Sequence, residues 1–473
     1  MRFALEPSVM VDVNVPRYNV EYYRTAGGSD IQALQAAIDA VNAIGGGVVT
    51  STKSVVYQVH DIQLKPNVTL YGINMKGTAG SSVILNLPGG TDNVTIEGCY
   101  FDGTAMSAAG SQAITSPAGQ NSYDFHVLNN RFKMLPMPTN PANTAHAWVM
   151  NSVWGVFTGN YCDQASGDIY NFNGGFVLVT DNIAMNSGDG GIALNNGVSG
   201  VVANNYIANT SLGVGIGPNS TLAYLLVSDN LIDGCQIGIA PGSYGGIGPH
   251  HLKIDSNNIR HCGEAGISYN GNSSTEEVNV SITNNLVTDS SLSYSGAGGQ
   301  SGIVVNRARG AHVTGNQVIN CAGFAYYFDG STSVTFDSNT ARISGYPVIW
   351  VNNLGSNSAS IGENHFIDNI NSRSAFPNPQ YIISGKLFYY GTLDGSGSAS
   401  FSHGLSGGLG DVKRVESHSG YAMASGNYLV PLTMNAIDGS NVSVVTSNAI
   451  QGSQPLRPFA FTLTVKPEQN PGF

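Results

Sequence analysis

The sequence is short of charge. Only 10% of its 473 residues are Asp, Glu, Lys or Arg, against about 25% in ordinary globular domains. Helices laced with salt bridges are therefore excluded as the main architecture. The few charges are mostly acidic, with 30 Asp and Glu against 19 Lys and Arg and a formal net charge of −11. That balance argues against nucleic acid or an anionic membrane surface as partner, since both reward clustered cations. No apolar run approaches the ~20 residues that span a bilayer, so membrane insertion is not expected. The start, MRFALEPSVMVDVNVPRYNVEYY, lacks the basic-then-apolar layout of a secretory signal. Export by another route, or a mature fragment, is the expectation.

Cysteine is scarce too. Cys99, Cys162, Cys235, Cys262 and Cys321 form an odd set without CxxC pairs or zinc-like Cys/His spacing. No metal site and no cofactor are expected. The last three precede small-apolar strand segments and read as a column of buried thiols, although a bridge between neighbouring turns is geometrically open. His250 and His251 have no third ligand candidate at usable spacing. A GxSxG elbow, an HExxH helix and a phosphate-binding loop are all missing. Gly-rich GVGIG at 213–217 precedes no helical pattern and reads as a turn.

What the chain has in abundance is Gly (60 residues) together with Asn, Ser and Thr, a composition suited to short strands joined by tight polar turns. The one strong helical period is SDIQALQAAIDAVNAI at 29–44. Ser29 is its N-cap with Gln32 three places on, and GGG at 45–47 ends it. A helix there would cover the open end of a strand-rich stack.

Beyond it a motif of apolar, polar, Asn, apolar recurs at Asn130, Asn160, Asn182, Asn205, Asn230, Asn258, Asn285, Asn316, Asn339 and Asn364, spaced by 22 to 31 residues. A period near 22 with insertions marks a solenoid. Each unit holds two or three short strands and no helix, so the expected fold is all-β, a parallel β-helix over 29–371 behind a lead-in at 1–28. Coils would lie about 4.8 Å apart with equivalent side chains in ladders. The repeated Asn suits an αL turn and an axial hydrogen-bond ladder. Insertions near 103–121, 133–145, 242–251, 270–277 and 289–300 would wall a groove along one sheet. After SRSAFPNPQ, a linker at 372–380, the pattern changes to alternating strands with Gly/Ser turns. This predicts a small C-terminal antiparallel β-sandwich or jelly roll at 381–473.

Two repeats open alike, SGDIYNFNG at 166–174 and SGDGGIALNNG at 187–197. Aligned on their Asn markers, His146, Asp168 and Asp189 fall at successive levels, 22 and 21 residues apart. Alternation with Ala147, Val149, Ile169, Ile192 and Leu194 inward would turn His146, Trp148, Asp168, Tyr170 and Asp189 outward. Two aspartates one coil apart, roughly 5 Å, cannot both ionise freely, so one tends to keep a proton. A protonated carboxyl beside an ionised one is the apparatus of glycoside cleavage, and about 5–5.5 Å is the retaining spacing. Trp148 and Tyr170 would give a sugar-stacking platform, joined by Tyr244 and Tyr269 as further substrate contacts, and His146 could orient groups or relay protons. Glu264 occupies a similar position about three coils on, roughly 14 Å from Asp189, where Glu276 or Glu277 could approach it. Other readings stay open. Asp before Gly makes Asx-turns, stacked aspartates can hold a cation, His146 can be a surface or turn residue, and Trp148 can be core.

GGSDIQALQAAIDAVNAIGGGVV, NVTLYG at 67–72 and the GNYC…DNIAMNSGDGGIAL coils resemble the right-handed parallel β-helix proteins of the pectin-lyase-like superfamily, over about residues 20–370. Within it, the capping helix, inserted loops, C-terminal β region and low charge resemble bacteriophage tailspikes. The resemblance implies a homotrimer in the virion tail that binds and cleaves a bacterial surface polysaccharide (capsule, O-antigen or exopolysaccharide). The particle-binding domain that precedes many such spikes is not recognisable. SGDGG resembles the Asp-Gly turns of the superfamily's glycosidases, but the polygalacturonase DD and GHG signatures are absent, so no catalytic set carries over. The expectation is an endo-glycosidase using Asp168 and Asp189 with His146 nearby. The alternatives are a lyase with Tyr170 or His146 as base, and a spike that binds without cleaving.

Overall fold

The computed structural model describes residues 15–342 with side chains, apart from 53, 107–109, 118–120, 136–144, 211–212, 220–223, 243–250, 272–278, 294–299 and 332–333. Beyond 342 it describes only the backbone of the strands between Ile349 and Pro467. The chain divides into two compact units, 1–167 with 175–178, and 168–174 with 179–473.

In the first unit, helix Asp30–Ala43 begins at Ser29, whose hydroxyl accepts from the Gln32 N–H while Gln32 reaches back to the Ser29 N–H. This is the capping box expected from the sequence. The helix buries Ala33, Leu34, Ala37, Ile38 and Val41. Its polar side chains close the backbone of the first coil. Gln35 bridges both backbone groups of Gln63, Asp30 accepts from the Gln58 N–H at 2.7 Å, and Asn42 donates to Pro66 O at 3.0 Å. An open strand edge is thereby satisfied rather than left to pair with another chain.

Each coil of the second unit contributes to three faces of parallel strands. On face I the inward column runs Tyr170, Ile192, Ile216, Ile239, Ile267, Ile303 and Tyr326. Face II stacks Val202, Val227, Ile254, Ile282, Val313 and Phe336. Face III stacks Ile207, Ile232, Ile259, Val287, Val318 and Ala341. All of these are buried, and each large aliphatic stabilises by about 1.5–3 kcal/mol. The core is thus a stack of like side chains.

Where face III turns into face I the chain passes too close for side chains. Gly191, Gly215, Gly238, Gly266 and Gly302 occupy that corner. A Cβ at Gly238 would lie 2.5 Å from the Gly266 carbonyl oxygen and 3.3 Å from Cys262 Sγ. All five cysteines are buried free thiols, so the bridge left open by the sequence does not form. Burial holds each thiol above its usual pKa.

Between faces II and III the asparagine ladder runs Asn182, Asn205, Asn230, Asn257, Asn285, Asn316 and Asn339. Each from Asn205 onward accepts, at about 3 Å, from the backbone N–H and the side-chain amide of the one before. The first unit has its own rung, Asn130 to Asn160. Two corrections follow. The ladder uses Asn257 and not Asn258, which starts the strand Asn258–Arg260 and is exposed. The left-handed conformation belongs to the residue preceding each ladder Asn, as at Asp181, Asn204, Asp229, Ser256, Asn284 and Ser338. The turn therefore divides its labour between a left-handed residue facing water and a buried amide facing the axis. Asn364 lies outside the described residues.

The strand Ile382–Leu393 still pairs in parallel with Ala359–Glu363, and the remaining pairings after it are antiparallel. Ile382–Leu393 and Lys413–Ala424 both pair with Arg457–Pro467, and Ser398–Ser402 and Tyr428–Ile437 both pair with Asn441–Thr446. The expected linker at 372–380 lies outside the described residues.

Candidate active site

Asp168 and Asp189 both belong to the second unit, just ahead of face I on adjacent coils, since Tyr170 pairs with Ile192. The turn before Asp189 is fastened by Ser187, whose hydroxyl accepts from the Asp189 N–H at 3.1 Å and donates to Gly190 O at 2.9 Å. The Ser of Ser-Gly-Asp thus ties the turn and leaves the Asp189 carboxylate to solvent, where it is exposed. Next along the axis, Gly213 leaves room for the Asp189 carbonyl, which any side chain there would strike.

Asp168 is half-buried. Its carboxylate accepts from Asn171 Nδ2 at 2.8 Å and from the Gly190 N–H of the next coil. Burial, reinforced by the negative charge of Asp189, raises its pKa to about 6, while the Asn171 and Gly190 hydrogen bonds oppose the rise. The two carboxylates line one cleft of about 150 Å³ with Ala193, Asn195, Gly217 and Asn219. Asn219 Nδ2 donates to Asn195 Oδ1 at 3.3 Å. From sequence Gly217 reads as part of a GVGIG turn, whereas the structure places it in the strand Val214–Asn219, and Ala193, Asn195 and Asn219 are not singled out as site residues. The signal for the two asparagines was the repeated Asn closing each face I strand, in IALN and GIGPN.

The other predicted residues fare differently. Trp148 is fully buried, packed edge-on to Phe132 and against Phe157. It is core and not a sugar platform. Tyr170 is also fully buried, its hydroxyl donating to Ile183 O at 3.0 Å. Tyr269 is buried as well. The expected alternation breaks at the corner, where Ile169 and Tyr170 are both inward. A chain turning through a coil corner can bury consecutive residues, which a straight strand cannot. His146 is half-buried in the first unit, its ring against Gly167, where a Cβ would come within 2.6 Å. Glu264 stands three coils beyond Asp189 and accepts from Gln236 Nε2 at 2.8 Å, so it is no partner for the pair. Tyr244, Glu276 and Glu277 lie outside the described residues. Among the described residues no group of three His, Cys, Asp or Glu could hold a metal ion.

No protein-family model matches the sequence, and no curated protein matches it. Among solved structures the chain is similar to a double mutant of the tailspike protein of E. coli bacteriophage HK620. The TM-score is 0.52 at 12% identity, covering 95% of this chain and 93% of that one. The fold is a right-handed parallel β-helix. The A-module of Azotobacter vinelandii mannuronan C-5 epimerase AlgE6 gives 0.47 at 19% identity, covering 74% of this chain and 94% of that one. At these identities the likeness is one of fold.

Proposed function

We propose that this β-helix is a carbohydrate-active enzyme, an endo-glycosidase that cleaves a bacterial surface polysaccharide in the manner of a phage tailspike. The observation that carries the proposal is the placing of Asp168 and Asp189 on adjacent coils, lining a single cleft. Hydrolysis of a glycosidic bond needs one carboxyl to protonate the leaving oxygen and a second, ionised one on the other side of the anomeric carbon. Asp168, with a pKa of about 6, keeps a proton to donate in mildly acid medium. Exposed Asp189 then acts as the nucleophile of a retaining reaction, and Asp168, deprotonated by its first act, activates the water that releases the product. A cleft smaller than the ~300–1,000 Å³ of enclosed ligand pockets fits a site that grips one sugar of a chain lying along an open sheet. On this reading the protein works at a phage tail, as the name of the HK620 tailspike says of that protein, and the trimeric state is part of the proposal.

A lyase loses one of its two candidate bases, because Tyr170 is buried with its hydroxyl engaged, and keeps only the half-buried His146. The test is digestion of a panel of capsular, O-antigen and exopolysaccharides by the whole protein. New reducing ends at saturated oligosaccharides are expected. Ultraviolet-absorbing unsaturated ends would select the lyase, and no shortening of any polymer would leave a binding spike.

A further inference from the structure

The strand that follows Asp168 alternates regularly. Tyr170 and Phe172 are buried in the core, and Asn171 and Asn173 lie outward between and beyond them, so two amides stand side by side on the outer face. Their hydrogen bonds run one way. Exposed Asn196, on the next coil, donates its Nδ2 to Asn173 Oδ1 at 3.3 Å. Asn173 Nδ2 donates to Asn171 Oδ1 at 2.9 Å, and Asn171 Nδ2 donates to Asp168 Oδ2 at 2.8 Å. The distances shorten toward the carboxylate, as hydrogen bonds to a charged acceptor do. Asn196 reaches Asn173 from a left-handed turn with φ 54°, a conformation Asn adopts readily.

The fold does not ask for an amide at 171. In the same register on the two following coils stand Ala193 and Gly217, whose side chains make no hydrogen bond, and the coils stack there all the same. The acid explains the amide better than the coil does. Burial and the negative charge of Asp189 favour protonated Asp168, while the hydrogen bonds from Asn171 and the Gly190 N–H favour the ionised form. Asp189 on the next coil is the charged group acting on Asp168, and the His146 ring lies against Gly167, the residue before it in sequence. In a retaining reaction Asp168 gives up a proton and then takes one back, so neither form can be strongly favoured. A neutral donor keeps that balance, whereas a Lys or Arg would pin the carboxylate in its ionised form. Hydrogen bonds in line polarise one another, each strengthening the next by about 10–30%. Asn173 is therefore felt at Asp168 without touching it.

We infer that Asn196, Asn173 and Asn171 form a one-way amide relay that positions the Asp168 carboxyl and eases the release of its proton. This rests on the glycosidase reading above and adds two positioning residues to it, Asn171 in contact with the acid and Asn173 acting through Asn171.

The experiment follows the Asp168 titration by carboxyl-labelled NMR in the whole protein, beside the pH profile of reducing-end release from a polymer that the parent cleaves. Removing a donor from the ionised form raises the pKa. In Asn171→Ala the titration is expected to move up by about one pH unit, the lower end for a hydrogen bond to a charged group. In Asn173→Ala it should move up by roughly 0.1–0.3 units, the share that passes along the chain, and in Asn196→Ala by less. The alkaline fall of kcat/KM should move with it in each variant, at unchanged KM. Asn93→Ala breaks a like pair of exposed amides in the first unit, where Asn93 donates to Asn67 Oδ1 at 2.8 Å, and should leave both readings where they are. Asn173→Ala carries the test should Asn171→Ala fail to fold. A titration that stays put or moves down in Asn171→Ala, or stays put in Asn173→Ala, overturns the relay even where cleavage is normal. Titrations that move as expected while no polymer yields new reducing ends would instead remove the glycosidase reading and leave the relay standing.

Discussion

The backbone N–H of Gly190 is hydrogen-bonded to the Asp168 carboxylate, and any side chain at 190 would collide with Asp168 Oδ1. One coil's glycine thus seats the previous coil's acid. Ser187 ties the same turn and turns Asp189 to solvent. A single Ser-Gly-Asp-Gly segment therefore supplies one carboxylate of the pair and the socket for the other.

Removing either carboxylate while keeping its shape should stop chemistry and spare binding. Asp168→Asn and Asp189→Asn are each expected to lower kcat by at least about a hundredfold, the size of general acid–base and nucleophilic contributions, with polymer affinity unchanged. Reducing-end assays beside calorimetric titration check this. Unchanged turnover in both would remove the pair from the mechanism.

The pH profile follows from the raised pKa of Asp168. As general acid it must hold its proton, so kcat/KM should fall as pH rises through about 6. The charge of Asp189 is part of what holds that pKa up. In Asp189→Asn the Asp168 titration, followed by carboxyl-labelled NMR, should therefore move to lower pH. Movement upward would contradict the coupling.

The same shift makes Asp168 a stability cost near neutrality. The folded chain keeps the proton up to about pH 6, whereas the unfolded chain releases it near pH 4. Between those values the native state binds more protons, so stability declines as pH rises through the window. Asp168→Asn has no proton to lose. Its melting temperature relative to the parent should rise between pH 4 and pH 7, and thermal scans showing the opposite trend would refute the burial argument.

Neighbouring asparagines should respond very differently to truncation. Asn257 is buried, accepts from Asn230 and donates to Val227 O and Asn285 Oδ1, so Asn257→Ala strands several buried groups at about 1–3 kcal/mol each. Asn258→Ala, at an exposed strand start, should lie within about 0.5 kcal/mol of the parent. Denaturant unfolding of the two variants separates them.

Trp148→Ala should act on stability alone, costing about 3–5 kcal/mol as a large core truncation. Trp148→Phe should melt slightly lower and cleave normally. A loss of glycan affinity at unchanged melting temperature would restore the platform role that its burial denies it.

The sequence by itself determined the repeat, the parallel coils, the capping box from Ser29 to Gln32 and the adjacency in register of Asp168 and Asp189. These depend on spacing and local chemistry, and both are written along the chain. Tertiary structure alone decided which side chains face water. Trp148 and Tyr170 turned inward because alternation with period two fails where the chain bends through a corner, whereas Tyr269 lies inward beside Ile267 in regular alternation. Asn257 rather than Asn258 joined the ladder because it is the residue that follows the left-handed Ser256. The cleft that Ala193, Asn195, Gly217 and Asn219 line beside the two acids was equally hidden. It arises only when successive coils stack, and nothing within one repeat tells which of its residues will share a cleft with its neighbours'.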